Sequence, residues 1–242
     1  MDYSTLVEVY EELERTSSRL GKIGAIAKLL KKTPASVLPK VALLVQGKVF
    51  PAYDEREIGI ANLLMVRIIS NTTGFSTKEV EDEFKRSGDF GLVIEKLIKM
   101  KKQKTLFSRR LSVEKVFENL QKLALLEGKG SQDRKFQLVS ELLSSAEPKE
   151  AKYIVRTILG ELRIGVAEGV MRDAITEAFL YSDDPEKRKE AASAVEWAWF
   201  LRSDYGEVAR IAKEKGLKGL KSIRIEIGKP YHVLLCEKAK DI

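Results

Sequence analysis

The chain has 242 residues, of which 44% are hydrophobic, and its 43 Lys and Arg outnumber its 36 Asp and Glu to give a net charge of +7. This composition supports a packed core, excludes a disordered chain and favours an anionic partner such as nucleic acid. The single cysteine, Cys236, excludes an internal disulfide, and the single histidine, His232, excludes a histidine-rich metal site. With no apolar run of about 18 residues and no secretory signal at the start, we expect a cytoplasmic protein without a membrane partner. We also expect it to be a monomer.

Hydrophobic periodicity predicts helices along most of the chain, up to about Leu220. Apolar residues recur three and four positions apart from Val113 to Leu123, from Ile154 to Leu162 and from Ala191 to Trp199. This period is typical of helices that bury one face, and it continues through both ends of the body. We therefore predict an all-α fold.

Local start signals support the helical prediction. Thr33-Pro34 and Asp184-Pro185 are typical of an N-cap followed by proline at the first helical position. Ser76 with Glu79 matches a capping box, in which each residue satisfies a backbone amide of the other. These capping residues therefore predict three helix starts.

The pattern changes near the end of the chain. Ile223, Ile225 and Ile227 alternate with polar residues, which predicts a strand, and Gly228-Lys229-Pro230 predicts a turn after it. A strand that follows an all-helical body indicates that another domain begins. We interpret residues 221–242 as a linker and the first strand or strands of that domain.

Three pairs of segments within the body resemble each other in the same order. The segment from Val9 resembles that from Val116, and the segment from Ala42 resembles that from Tyr153. The third pair matches Asp89 and Gly91 with Asp204 and Gly206, and the second matches Gly47 with Gly160. Because the offsets are similar, we predict an internal duplication that gives two pseudo-symmetric helical halves, about 1–110 and 111–220, within a domain of residues 1–220.

A glycine-bearing turn runs from Glu127 to Lys135. Gly128 and Gly130 permit unusual backbone torsions, and Ser131 is predicted to cap the helix that follows. Free amides at a helix start, together with Lys129, Arg134 and Lys135, favour a phosphate site. The alternative is an ordinary turn between two helices.

A second break in the helical pattern lies between Gly160 and Ala174. One helix is predicted to end near Leu162 and the next to begin near Ala167, with Arg163 and Gly165 at the break. The alternative is a kinked helix with a solvated arginine. Because this break and the Gly128 turn flank one helical hairpin, we expect both to face the same surface.

The first half contains a counterpart of the Gly128 turn, from Glu14 to Lys22. Thr16, Ser17 and Ser18 offer hydroxyl groups, while Arg19 and Lys22 offer positive charge, and this combination is typical of phosphate contacts. The alternative is a polar helix cap.

Residues 96–110 form a strongly basic segment near the junction of the halves. Leu106 and Phe107 lie in this polar stretch without a helical face to join, which favours a docking peptide. The alternative is a solvated linker, because most charge runs are exposed.

The motifs of a complete active site are missing. The chain has no phosphate-binding P-loop, and its Asp89-Phe90-Gly91 triplet lacks the other signatures of a kinase. The duplication explains this triplet better, with Asp89 as a helix cap. Two classes of function are left open, nucleic-acid binding and a helical scaffold for protein interactions.

Several of these segments together resemble the DNA-binding domain of ATP-dependent DNA ligases of archaeal and eukaryotic type. The similarity lies in the GKGS turn before a basic helix, the LRIGVAEGVMRDA segment, SSRL near the start, Gln46 to Lys48, and the PYHVLLCEKAKDI end. The resemblance implies two pseudo-symmetric helical halves that grip the minor groove of nicked duplex DNA through phosphates and sugars. The DNA-contact candidates that it implies are Thr16, Arg19, Lys22, Gly128, Lys129, Gly130, Ser131, Lys135, Arg163 and Gly165.

The resemblance also implies a partner protein and cofactors for a longer enzyme. Gln103, Leu106 and Phe107 are similar to the short motif by which archaeal ligases bind the sliding clamp PCNA, although Leu106 stands where an aromatic is usual. The longer enzyme uses ATP and Mg²⁺ in replication and repair: it adenylates a lysine, transfers AMP to the 5′-phosphate and seals the nick. That lysine lies in a K-DG motif that this chain lacks. Because the PYHVLLCEKAKDI end is similar to the opening of the family's adenylation domain, we expect residues 221–242 to begin that domain. We expect the chain itself to bind DNA in the nucleoid, to hold no cofactor and to seal nothing.

Overall fold

The computed structural model describes residues 1–100, 110–228 and 231. Within these ranges it contains twelve α-helices and no β-strand, so the all-α prediction is confirmed. The helices are α1 (Tyr3–Arg15), α2 (Arg19–Lys32), α3 (Leu38–Leu44), α4 (Asn62–Thr73), α5 (Thr77–Ser87), α6 (Phe90–Met100), α7 (Val113–Leu125), α8 (Ser131–Ser144), α9 (Pro148–Ile158), α10 (Glu168–Phe179), α11 (Pro185–Arg202) and α12 (Tyr205–Lys221). None of them, in the ranges described, combines the length and hydrophobicity needed to traverse a lipid bilayer.

Most of the predicted helix starts carry the expected caps. Ser76 and Glu79 form the capping box of α5, and Asp184 accepts hydrogen bonds from two amides at the start of α11. Asp89 caps α6 through the amide of Gly91 at 2.7 Å. The Thr33 prediction is wrong, because Thr33 ends α2 and its hydroxyl bonds back to the Leu29 carbonyl at 2.8 Å. Proline at the next position then separates α2 from α3 instead of starting a helix.

Helices α1 and α7 begin side by side at a short antiparallel bridge. Asp2 and Ser112 form an isolated antiparallel bridge, in which the Tyr3 amide bonds to the Leu111 carbonyl at 2.8 Å and the Val113 amide to the Met1 carbonyl at 2.9 Å. Both helices bury a face of tyrosines or aliphatic residues in one hydrophobic core. They therefore share one core from this bridge onward.

Contacts between helices occur in matched pairs. Helix α6 packs against α9 as α12 packs against α3, and α2 packs against α10 as α8 packs against α4. We call α1–α6 the first half and α7–α12 the second half. In each of these pairs one helix comes from each half, so the halves follow one another in sequence but interlock in space. This pairing is what an internal duplication predicts.

The expected strand near the end of the chain is not present in the residues described. Residues 223–226 have no regular structure, and 227–228 form a turn. Ile223 is buried, while Ile225 and Ile227 are exposed. The rest of the predicted strand region, 229–230 and 232–242, lies outside the described residues.

Candidate nucleic-acid interface

Four connections between helices form one continuous surface, which we call the loop face. They are the α1–α2 turn (16–18), the α3–α4 loop (45–61), the α7–α8 turn (126–130) and the α9–α10 loop (159–167). The two long loops meet where a Cβ on Gly47 would lie 3.3 Å from Leu162, and residues of both loops line the same two depressions. Because α1 and α7 end in the two short turns, the loop face lies at the end of these helices away from the Asp2–Ser112 bridge.

Lys22 of α2 reaches across to the α9–α10 loop. Its Nζ donates to the Ile164 carbonyl at 2.7 Å and to the Gly165 carbonyl at 3.2 Å. Gly165 has a φ of +64°, and a Cβ at this position would overlap the Lys22 ammonium. The predicted residues Lys22 and Gly165 are thus in direct contact, and Lys22 is already engaged by the protein.

Lys135 of α8 makes the equivalent contact with the α3–α4 loop. Its Nζ donates to the Ile58 carbonyl at 2.7 Å and to the Gly59 carbonyl at 3.4 Å. Gly59 has a φ of +62°, and a Cβ there would lie 3.1 Å from the same ammonium. Lys135 is only 7% exposed, so it is not the free surface cation that its place in a basic turn suggested.

The sequence contains a signal for this second contact that our reading missed. Residues 58–61 read Ile-Gly-Ile-Ala and residues 164–167 read Ile-Gly-Val-Ala, at an offset similar to those of the other matches. Both segments end in an alanine N-cap, Ala61 for α4 and Ala167 for α10. The loop face therefore carries two equivalent glycine turns, each held by a lysine from the other half.

Three helices begin on the loop face without a side-chain cap. The N-cap residues of α4, α8 and α10 are Ala61, Gly130 and Ala167, and none of them provides a capping side chain. Ser131 is the first residue of α8 and not its cap, contrary to the prediction. Side chains do cap the described helices α2, α5, α6, α7, α11 and α12, through Ser18, Ser76, Asp89, Ser112, Asp184 and Asp204, whereas α1 and α3 lack a side-chain cap as well. Amides left uncapped at a helix start favour an anion.

Positive side chains surround these helix starts. Arg19 lies on α2, 2.7 Å from Asp173 of α10, and its side chain is largely exposed. The hydroxyl oxygen of Thr16, between α1 and α2, accepts a hydrogen bond from the Ser18 amide at 3.2 Å. These residues share with Lys22 the part of the loop face formed by α2 and α10.

The α7–α8 turn holds the other predicted contacts. Gly128 and Gly130 adopt φ values of +78° and +77°, which explains the two glycines of the motif. Arg134 folds back onto the turn and donates to the Glu127 carbonyl at 3.3 Å, whereas Lys129 is exposed at its tip. This turn lies beside the Gly59 turn, through Lys135, while the Gly165 turn lies beside α2.

Arg163 lies at the break between α9 and α10 with a left-handed backbone, φ 56°. Its guanidinium is 2.5 Å from Glu161, 3.7 Å from Asp89, and donates to the Gly88 carbonyl at 3.3 Å. Arg163, a predicted DNA contact, is thus partly bound to residues at the start of α6 and is not simply solvated, as the alternative interpretation held. Its side chain is still 46% exposed, which leaves room for an external anion.

A buried network of charged side chains lies next to the break between α9 and α10. Arg156 of α9 pairs with Asp89 at 2.7 Å and with Glu14 of α1 at 3.1 Å. Burial raises the pKa of Glu14, but hydrogen bonds from Arg156, Lys152 and Tyr153 outweigh it and lower that pKa to about 2. Burial also opposes ionisation of Asp89, and its bonds with Arg156 lower its pKa below the ordinary value. Both carboxylates therefore stay charged and hold α1, α6 and α9 together.

The predicted clamp-binding residues Gln103, Leu106 and Phe107 lie outside the described residues. The described chain on either side ends with α6 at Met100 and resumes at Arg110, whose guanidinium lies 3.6 Å from Asp2. That point belongs to the end of α1 and α7 opposite the loop face.

Comparison with known proteins places the chain in a family. Residues 2–176 match the model of the DNA ligase N terminus. The chain belongs to the DNA ligase N-terminus family. This confirms the family predicted from the GKGS turn and the LRIG segment.

Relatives of this ligase N-terminal chain extend well beyond it. The DNA ligase of Thermococcus onnurineus is 42% identical over 242 residues, and that of Methanopyrus kandleri is 43% identical over 243 residues, in each case covering all of this chain and 42% of the relative. The DNA ligase of Methanothermobacter thermautotrophicus is 43% identical over 240 residues, covering 99% of this chain and 42% of the relative. The chain thus spans less than half the length of these curated relatives.

Proposed function

We propose that this ligase N-terminal domain binds nicked duplex DNA on its loop face, in the minor groove and without reading the base sequence. The observation that carries the proposal is the meeting of three uncapped helix starts and several cations on one surface, in a chain of the DNA ligase family. Amides and cations of this kind contact phosphates, which every DNA sequence presents alike. A ligase has to accept any nick, so contacts with the backbone suit it.

The matched turns support binding on both sides of a nick. The Gly165 turn with α2 and the Gly59 turn with α8 make equivalent lysine contacts, one in each of the two interlocked halves. A duplex backbone is likewise equivalent on the two sides of a central point, so each turn meets an equivalent stretch of phosphates. Holding both sides keeps the two ends aligned for sealing, and such alignment lowers a reaction barrier by several kcal/mol.

In the longer enzyme this domain would serve a reaction carried out elsewhere in the chain. By resemblance, ATP and Mg²⁺ supply AMP to a lysine, then to the 5′-phosphate of the nick, during replication and repair. No group of three or more His, Cys, Asp or Glu among the residues described is arranged to hold a metal ion. We assign binding and alignment of the DNA to this domain.

Fluorescence anisotropy with labelled nicked duplexes tests the DNA proposal. Duplexes of unrelated sequence should bind with similar affinity, and the affinity should fall steeply with salt because bound phosphates release counterions. Lys129→Ala and Arg19→Ala should each reduce the salt slope by about one while leaving the thermal midpoint unchanged. Lys187→Ala, an exposed lysine on α11, is the matched control and should bind as the parent does.

An affinity that is independent of salt, or that depends on base sequence, would contradict the proposal. Failure to bind DNA of any sequence would leave the helical interaction scaffold as the better interpretation of the same fold.

We further propose that Gln103, Leu106 and Phe107 bind the sliding clamp PCNA. They are tethered at the Arg110 end of α7, and a helix of 13 residues separates that end from the loop face by about 20 Å. Phe107→Ala should abolish capture by immobilised clamp and leave DNA binding intact, while the neighbouring Ser108→Ala retains both. Capture that survives Phe107→Ala, or a loss of DNA binding with it, would refute a separate docking peptide.

A further inference from the structure

The ammonium groups of Lys22 and Lys135 are poorly placed to be primary phosphate ligands. Each one already donates to two backbone carbonyls of a glycine turn, and Lys135 is almost fully buried. Both lysines also lie on the buried side of their helices, one and two turns before the apolar residues that pack into the core. A charge held in this way organises the protein before any DNA arrives.

We propose that Lys22 and Lys135 are positioning residues, each of which fixes the turn at the start of a helix in the other half. Lys22 of α2 sets the Gly165 turn before α10, and Lys135 of α8 sets the Gly59 turn before α4. The inference rests on the proposed function for its consequence in DNA binding, but the positioning itself is a property of the protein alone.

The glycine turns need such a partner for two physical reasons. Gly59 and Gly165 have positive φ values that other residues adopt at a cost, and glycine leaves a turn with more freedom than any other residue. A Cβ at either position would also crowd the lysine ammonium. Glycine therefore leaves space for the lysine ammonium. The hydrogen bonds of that ammonium in turn restrict the backbone torsions that glycine would otherwise sample.

The Gly59 and Gly165 turns set the orientation of the first backbone amides of α4 and α10. Ala61 and Ala167 have no side chain that can bond to the first amides of α4 and α10. The direction of these amides consequently depends on the carbonyls of the preceding turn, which Lys135 and Lys22 hold. Because each lysine comes from the other half, each phosphate-facing turn is complete only when the halves interlock.

Hydrogen exchange on the free protein tests the positioning directly. Lys22→Met should speed exchange of the amides in 164–169 about tenfold and leave 58–63 unchanged, since hydrogen bonds from a charged group are lost at one turn only. Lys135→Met should give the reverse pattern. Lys28→Met, a change at an exposed lysine of the same helix as Lys22, should alter neither turn, and amides of α7 report whether the fold is intact.

DNA titration then separates positioning from charge. Lys22→Met should weaken binding about tenfold. Lys22→Arg should weaken it comparably although it keeps the charge, because a broad planar guanidinium replaces the compact ammonium that lies against Gly165 and bonds to two carbonyls. Neither change should lower the salt slope by the full unit expected for a lost phosphate contact.

Two results would overturn the positioning role. One is unchanged or equal exchange at both turns in the methionine variants. The other is native affinity in Lys22→Arg together with a lower salt slope in Lys22→Met, which would make Lys22 a phosphate ligand. Absence of DNA binding by the parent protein would refute the proposed function alone, because the exchange experiment contains no DNA.

Discussion

Arg156→Leu should lower the free energy of unfolding by about 3–5 kcal/mol, because removing one partner of a buried ion pair leaves the other charge buried without compensation. Arg156 is 3% exposed, and its guanidinium lies 2.7 Å from Asp89 and 3.1 Å from Glu14. The leucine fills part of the volume but satisfies neither carboxylate. For a domain of this size the loss corresponds to a fall in the melting midpoint of roughly 6–20 °C, measurable by calorimetry.

The pH dependence of this effect provides an internal check. The ordinary pKa of Glu14 is 4.5 and its folded value is about 2, so its stabilising contribution is complete above pH 4.5 and is lost as the pH falls toward 2. The difference between the parent and Arg156→Leu should therefore be constant near neutral pH and shrink in acid. Arg86→Leu, at an exposed arginine 3.6 Å from Glu83, is the control and should cost at most about 1 kcal/mol. Equal losses at the two arginines, or a difference unaffected by acid, would contradict the assigned role of the network.

Gly91→Ala and Gly206→Ala should each destabilise the fold by about 1–3 kcal/mol, the usual cost of overpacking. A Cβ on Gly91 would lie 2.8 Å from the Lys152 carbonyl, and one on Gly206 would lie 2.8 Å from the Pro39 carbonyl. Backbone atoms cannot rotate away, so the crossings of α6 with α9 and of α12 with α3 would have to open. Urea unfolding of both variants measures the cost.

Gly24→Ala is the matched control for these two changes. Gly24 lies inside α2, and a Cβ added there would have no neighbouring atom within 4 Å. Alanine there should stabilise the protein by about 0.5–1 kcal/mol, because it restricts the unfolded chain and favours helix. Destabilisation by Gly24→Ala similar to that at Gly91 would show that close helix approach is not the cause.

The features predicted best from sequence depend on neighbours in the chain. The helical body, the capping box at Ser76 and the caps at Asp89 and Asp184 are each determined within a few residues, and the structure confirms them. Matching Gly91 with Gly206 was also informative, because both sit in the first turn of a helix that crosses another backbone closely. Thr33 failed as an N-cap because its hydroxyl closes the preceding helix instead.

The contacts that the sequence analysis missed join residues far apart in the chain. Nothing near Lys135 indicates the Ile58 and Gly59 carbonyls as its partners, and nothing near Arg156 indicates Glu14. The helical period could nevertheless have predicted that Lys135 is buried. Lys135 precedes Val139 and Leu142 by one and two turns, so it lies on the buried face of α8. A basic residue in a glycine-rich turn is therefore better assigned after its helical face has been considered.

The interlocking of the halves bears on how such a chain came to exist. A free six-helix unit equivalent to α1–α6 would leave the faces of α2, α3 and α6 that contact the second half uncovered. Two copies would cover those faces for each other by exchanging elements, as in a domain-swapped homodimer. Joining the copies in one chain makes that association intramolecular, so its effective concentration no longer depends on how much protein the cell holds. At the position equivalent to Arg156 the first half has Leu43, so the pair with Glu14 has no counterpart there.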